Sequence, residues 1–295
     1  MSYESTVVPT PDGRDLEVAT VGVPSGPTVF FHHGTPGSAP MVRAFEDTAE
    51  ERGVCMVTIS RAGYGFSGRR VGRTAADVVS DVHVALDALG RGDYVSLGWS
   101  GGGPHALACA ALDRPRCRGV ITLAGLAPST VDFDWTAGMG PENVEEFRVA
   151  RAGGPAHEEQ ISLQRDYLVE ATVTSLTELL GGLLSEADIL ALKEPGVMEV
   201  MVDSFHHGLV PGHYGFLDDD KIFVGDWGFS LADVTGPVEV WFGDEDLMVP
   251  PTHGRYLMRT IEGAVEFHQP PDGHISIVTD YQEPLFDRLI AFAEG

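Results

Sequence analysis

A serine, an aspartate and a histidine, far apart in the chain, each stand just behind a run that reads as a strand. Ser100 lies in Gly98-Trp99-Ser100-Gly101-Gly102, between the run 94–99 and an unbroken apolar helix pattern from His105 to Leu112. A GxSxG sequence in that context makes a sharp strand-to-helix turn that lifts the serine above the sheet. The small residues Gly98 and Gly102 let the backbone pass there without a clash. A hydroxyl is a weak nucleophile and needs a base. His274, in Pro271-Asp272-Gly273-His274, follows the last strand-like run and is the candidate. A base needs an acid to hold its tautomer and stabilise its charged form. Gly243-Asp244-Glu245-Asp246 offers three carboxylates. Asp246 is chosen because it stands just ahead of Val249-Pro250, where the loop would turn toward the histidine, and Asp244 is its main rival. Negative charge developing on a substrate oxygen needs two N–H donors. Gly101 supplies one. The loop His32-His33-Gly34-Thr35-Pro36-Gly37 supplies the other through Thr35, since proline has no N–H. His33 is read chiefly as a brace for that loop.

These residues need a scaffold that carries them to one edge. Strand patterns at 15–23, 29–31, 54–59, 94–99 and 119–124 alternate with helical patterns at 41–52, 74–90 and 105–112. Thr74 with Asp77 fits a capping box. Apolar strands alternating with helices predict a parallel sheet covered on both faces, and ligands bind beyond the carboxyl ends of such strands. The alternation stops at about 129 and returns at 238–242 and 265–268, with a last amphipathic helix over 282–294. Between them the spacing predicts helices over 141–152, 157–181 and 185–193, the last with Ser185 and Asp188 as a capping box. The expected organisation is an α/β core made of 1–128 and 233–295, interrupted by a helical cap at 129–232.

The chain resembles the α/β-hydrolase family. The resemblance rests on His33-Gly34-Thr35-Pro36-Gly37, Arg61-Ala62-Gly63-Tyr64-Gly65-Phe66-Ser67, the turn at 98–102, Gly243 through Pro250, and Gly273-His274, in the family's order. It implies a mostly parallel, eight-stranded sheet with a helical cap inserted after the sixth strand. The order Ser, Asp, His is also the family's. Epoxide hydrolases and haloalkane dehalogenases share the HGxP loop but use an aspartate where Ser100 stands. Proline iminopeptidases have a similar HGxPG loop, yet their turn and their amine-binding acids are not clearly matched. Meta-cleavage-product hydrolases share the triad and the cap. The expected function is a serine hydrolase cleaving a small or medium apolar carboxylic ester or lactone. An amide or carbon–carbon bond as target, or a non-catalytic ligand-binding protein, remain as alternatives.

A cap should bury one face and line an apolar pocket with the other. Trp99, His33, Trp135 and Phe205 are the candidate pocket residues. Glu142, Glu145, Glu146, Glu158 and Glu159 read as a solvated face, although one of them could meet a substrate amine. His206, His207 and His213 are not expected to bind metal, because adjacent helical histidines point apart and no carboxylate completes a site. No cofactor is expected. The net charge of −25, from 44 acidic against 19 basic residues, argues against nucleic acid and anionic membrane as partners. Cys55, Cys109 and Cys117 lack CxxC spacing, which argues against a disulfide framework or a zinc knuckle. The start at Met1-Ser2-Tyr3-Glu4 lacks a signal-like n-region, and no run of 18 apolar residues is present. A cytoplasmic monomer or homodimer acting on a small molecule is expected.

Overall fold

The computed structural model describes residues 5–295, so the N-terminal stretch 1–4 lies outside the described residues. Eight strands form one sheet: β1 (Ser5–Pro9), β2 (Asp15–Gly22), β3 (Thr28–His32), β4 (Cys55–Ile59), β5 (Tyr94–Trp99), β6 (Cys117–Leu123), β7 (Val238–Gly243) and β8 (Val265–Gln269). Their spatial order is β1-β2-β4-β3-β5-β6-β7-β8. β2 runs antiparallel to both of its neighbours, and from β4 to β8 every pairing is parallel. β1 is the strand that the sequence patterns do not locate. It is short, and its residues are intermediate or exposed throughout, so it carries no apolar alternation to read.

The helices are α1 (Glu46–Glu51), α2 (Val78–Ala88), α3 (Gly103–Leu112), α4 (Pro141–Ala152), α5 (Gly154–Val169), α6 (Leu176–Leu180), α7 (Glu186–Ala191), α8 (Val197–Leu209), α9 (Tyr214–Val224), α10 (Pro251–Thr260), α11 (Ser276–Thr279) and α12 (Gln282–Glu294). Alternate strand residues face opposite layers. Val29, Phe31, Leu97, Ile121 and Trp241 pack with Phe45 and with Phe286 of α12 on one face. Phe30 and Val57 meet α2 and α3 on the other, where Val240 and Phe242 meet α3 and α10. Central β3–β7 are therefore buried on both faces, which is why they read as continuous apolar runs.

Helices α4–α9 all fall between β6 and β7. The expected single helix over 157–181 is two. The break follows Val169, where Thr172 and Ser175 exchange side-chain-to-backbone hydrogen bonds of 2.9 and 3.2 Å. Such bonds compete with helix formation. Among the described residues, no helix is long and apolar enough to cross a membrane. The three cysteines are free, two of them buried.

Candidate active site

β3 and β5 lie side by side with Phe31 opposite Leu97 and His32 opposite Gly98. The loop after β3 and the turn after β5 therefore leave the sheet together. Ser100 takes φ +56, a left-handed conformation that costs a non-glycine residue free energy and is held by its surroundings. The glycines around it are obligatory. A Cβ on Gly98 would lie 2.5 Å from the Gly102 carbonyl oxygen, and one on Gly102 would lie 2.0 Å from the carbonyl oxygen of His32. A Cβ on Gly101 would meet the Thr35 hydroxyl at 2.4 Å, so the two loops touch. Among the described residues, neither the Thr35 nor the Gly101 N–H donates to a protein acceptor.

Asp246 follows β7 and is buried. One oxygen accepts from the N–H groups of Met248 (2.8 Å) and Val249 (2.7 Å), and the other from His274 Nδ1 at 2.8 Å. That bond places the proton on Nδ1 and leaves Nε2 as the acceptor. Burial alone would lower the His274 pKa, but the neighbouring carboxylates of Asp246 and Asp188 outweigh it and raise the pKa above 6.5. Trp99 stacks obliquely on His274 at 5.6 Å and donates its indole N–H to the His274 carbonyl at 3.1 Å. The rival Asp244 is exposed and paired with Arg255 at 2.6 Å.

Ser100, Gly101, Thr35 and His274 open into one cavity of about 290 Å³. Its floor includes Gly34 and Trp99. Its opposite wall comes from α4–α9, through Phe147, Leu179, Leu180, Leu183, Met201, Phe205 and Phe223. Of the four candidate pocket residues, Trp99 and Phe205 line this cavity, and His33 and Trp135 do not. His33 turns inward and is fully buried. Its Nδ1–H donates to the Gly34 carbonyl at 2.7 Å, and its Nε2 accepts from the Arg61 N–H at 3.2 Å. It braces the loop without reaching the cavity. Trp135 ties its indole N–H to the Ala127 carbonyl at 2.7 Å and stands behind Phe147 at 4.7 Å, which takes the cavity position instead.

Several polar groups around the cavity take roles that the sequence did not assign to them. Asp219 of α9 is fully buried. It accepts from Thr35 Oγ1, Arg61 and Arg73, each at 2.6 Å, and from Tyr64 at 3.0 Å. Burial would raise its pKa, but the two guanidinium groups hold it well below the usual carboxylate range. Arg61 also donates to Gly34 O at 3.0 Å, to Thr35 Oγ1 at 2.8 Å and to the His33 carbonyl. Asp188 of α7 reaches the backbone of the His274 loop. Glu146 lines the cavity beside Gln164, which donates to it at 2.8 Å. Desolvation and then Asp220 push its carboxyl well above the ordinary value. Arg61 lay within a motif already quoted, but an Asp218-Asp219-Asp220 run reads as solvated, and nothing local signals its burial. The histidines 206, 207 and 213 are spread over separate partners: the Ala171 carbonyl, Glu17 and Glu158. Among the described residues, no cluster of ligating side chains fits a metal ion.

A family model described as the alpha/beta hydrolase fold matches residues 27–168. The protein is of the α/β-hydrolase fold, with its eight-stranded, mostly parallel sheet. Solved structures agree over nearly the whole chain. An alpha/beta hydrolase fold protein from Nakamurella multipartita is 24% identical with a TM-score of 0.67, covering 99% of this chain and 100% of that one. A thermophilic esterase from Thermogutta terrifontis is 20% identical with a TM-score of 0.67, covering 99% and 98%. The enol-lactonase from Burkholderia xenovorans LB400 is 17% identical with a TM-score of 0.68, covering 98% and 100%. Among curated proteins, none matches the sequence.

Proposed function

We propose that this protein is a serine hydrolase that cleaves a small or medium apolar carboxylic ester or lactone through an acyl-enzyme. The observation that carries the reading is the His274–Asp246 pair opening, with the left-handed Ser100, into one largely apolar cavity. In this reading Ser100 Oγ attacks the carbonyl carbon while His274 Nε2 takes its proton. The N–H groups of Gly101 and Thr35 hold the oxyanion. The intermediate collapses, the C–O bond breaks, and His274 returns its proton to the leaving alcohol. Water, deprotonated by His274, then releases the acid and regenerates Ser100. Asp246 holds the tautomer and stabilises the imidazolium without itself taking the proton. The helices of 129–232 act as a cap that shapes the acyl pocket, and the esterase and enol-lactonase among the similar structures are compatible with this chemistry.

One observation favours a second reading, an amide whose substrate carries an amine: Glu142 and Glu146 both face the cavity. Glu142 already accepts from the Gly182 N–H at 3.0 Å. Glu146 is held toward its neutral form, a poor counter-ion for an ammonium group. The ester reading is therefore preferred.

Labelling with a fluorophosphonate tests the proposal, followed by a panel of p-nitrophenyl esters and aminoacyl anilides. Label on Ser100 is expected, retained in Asp244→Ala and lost in Ser100→Ala, together with a fall in ester turnover of at least about 10⁴-fold. Labelling that persists in Ser100→Ala overturns the proposal. Anilide turnover that disappears in Glu146→Gln selects the amide.

A further inference from the structure

The loop that carries His274 is held from the cap side. We infer that Asp188, on α7, is a positioning residue for His274, its carboxylate fixing the backbone from which the imidazole projects. This rests on the serine-hydrolase reading above.

Oδ2 of Asp188 accepts from the His274 N–H at 3.0 Å, and Oδ1 accepts from the N–H groups of Ile275 (2.7 Å) and Ser276 (3.1 Å). The preceding N–H, that of Gly273, goes to Ser276 Oγ at 2.8 Å. Four successive amides at the entry to α11 are thus satisfied, three of them by one side chain from another part of the molecule. The fit is close. A Cβ on Gly273 would stand 2.4 Å from both Asp188 Oδ2 and Ser185 Oγ. Ser185 in turn accepts the Asp188 N–H at 3.2 Å, which fixes the start of α7.

Charge separates this contact from an ordinary helix cap. Asp188 is fully buried, and among the described residues no Lys, Arg or His pairs with it. Three amides could be met largely by a neutral side chain, whereas a buried carboxylate without a cation is costly. The cation that forms beside it during turnover is the imidazolium of His274. The charged groups that act on that imidazole are Asp246 from the loop after β7 and Asp188 from α7, while Glu142 and Glu146 of α4 line the same cavity. Only Asp188 also holds the histidine's own backbone. Leu179, Leu180 and Leu183, just before α7, line the cavity, so the element that grips the base follows directly on one that meets substrate.

The test uses the full chain, p-nitrophenyl acetate and the fluorophosphonate, from pH 5 to 9. In Asp188→Asn one acceptor becomes a donor facing the His274 N–H, and the charge is lost. We expect kcat to fall about 10- to 100-fold, the range for sub-ångström to ångström misplacement of a catalytic group, with KM within about threefold. Because the base acts when neutral and Asp188 raises its pKa, the acidic limb of kcat/KM moves to lower pH. A kcat within twofold of the parent overturns the inference. So does a lower kcat with an unmoved acidic limb, which is what a merely structural cap would give. If Asp188→Asn and Asp188→Ala do not fold, Ser185→Ala decides: it loosens Asp188 and is expected to lower kcat about threefold at unchanged KM, and a parental kcat overturns the inference. Failure of the parent to label at Ser100 is a different result, sinking the serine-hydrolase reading and this inference with it.

Discussion

The two walls of the cavity are held by different interactions. On the core side, positions follow from backbone. β3 and β5 pair in parallel register, Gly98 and Gly102 admit close backbone approach, and Ser100 and Thr35 emerge next to each other as a consequence. On the side of α4–α9, positions follow from buried carboxylates that cross to the strand loops. Asp219 grips Thr35, Arg61 and Arg73, and Asp188 grips the His274 loop. A register of paired strands is fixed by many equivalent bonds, so no single side chain decides it. A carboxylate clamp concentrates its effect in one residue, and removing one partner leaves the others buried without compensation. Single substitutions at these carboxylates should therefore act through stability and positioning, whereas substitution at the core pair should act on the chemistry itself.

The largest effect is expected at the core pair. In Asp246→Asn the side chain still fits, but its amide cannot accept the Nδ1 proton as the carboxylate does, and the wrong tautomer is favoured. A fall in kcat of about 10⁴-fold is expected, with an urea midpoint close to the parent's. A drop of less than tenfold would return the role to another acid. The clamp gives the opposite signature. Asp219→Asn leaves Arg61 and Arg73 buried without their shared anion, and a stability loss of about 3–5 kcal/mol is expected in urea melts. The pH dependence has a definite sign. Asp219 is held below its unfolded value of 3.8, so its contribution is present above that pH and erodes as pH falls below it. The gap between parent and variant should narrow below about pH 4. Equal stability of the two proteins at pH 7 would break the comparison.

The same difference decides what was legible in the sequence. Ser100, Thr35 and Asp246 each follow a strand whose largely apolar run is visible and His274 follows the half-exposed β8, so the rule that ligands bind beyond the carboxyl ends of parallel strands makes all four candidates. β1 escaped because its exposed residues carry no alternation. Helices α8 and α9 escaped because their apolar faces pack on the core and on other helices of 129–232, while Asp218, Asp219 and Asp220 interrupt the pattern from inside. Asp188 was visible as a partner of Ser185, and that bond is present through its N–H. Its carboxylate goes 86 residues away in sequence, and no local pattern carries such a contact. Trp135 and Phe147 are equally apolar. Trp135 is held behind Phe147 by its indole bond to Ala127 and by His253, and Phe147 takes the cavity position.

The smallest expected effect sharpens the comparison at an acidic side chain, Glu146, that faces the cavity without gripping the core. Glu146 sits among apolar cavity residues with Gln164 as its donor, and desolvation and Asp220 raise its pKa. A carboxyl whose folded pKa lies above the unfolded value of 4.5 favours folding at low pH and loses that contribution as pH rises through the folded value. Glutamine keeps the shape and cannot ionise. Glu146→Gln should therefore raise the melting temperature by about 2–4 °C at pH 8 and by less at pH 5. Turnover of an apolar ester should change by less than about threefold, since the side chain contributes wall rather than chemistry. Thermal melts at the two pH values, paired with ester kinetics, check both halves. A variant less stable at pH 8 than the parent would mean that Glu146 is ionised and paired there, and would place it with Asp188 and Asp219 among the carboxylates that tie α4–α9 to the sheet.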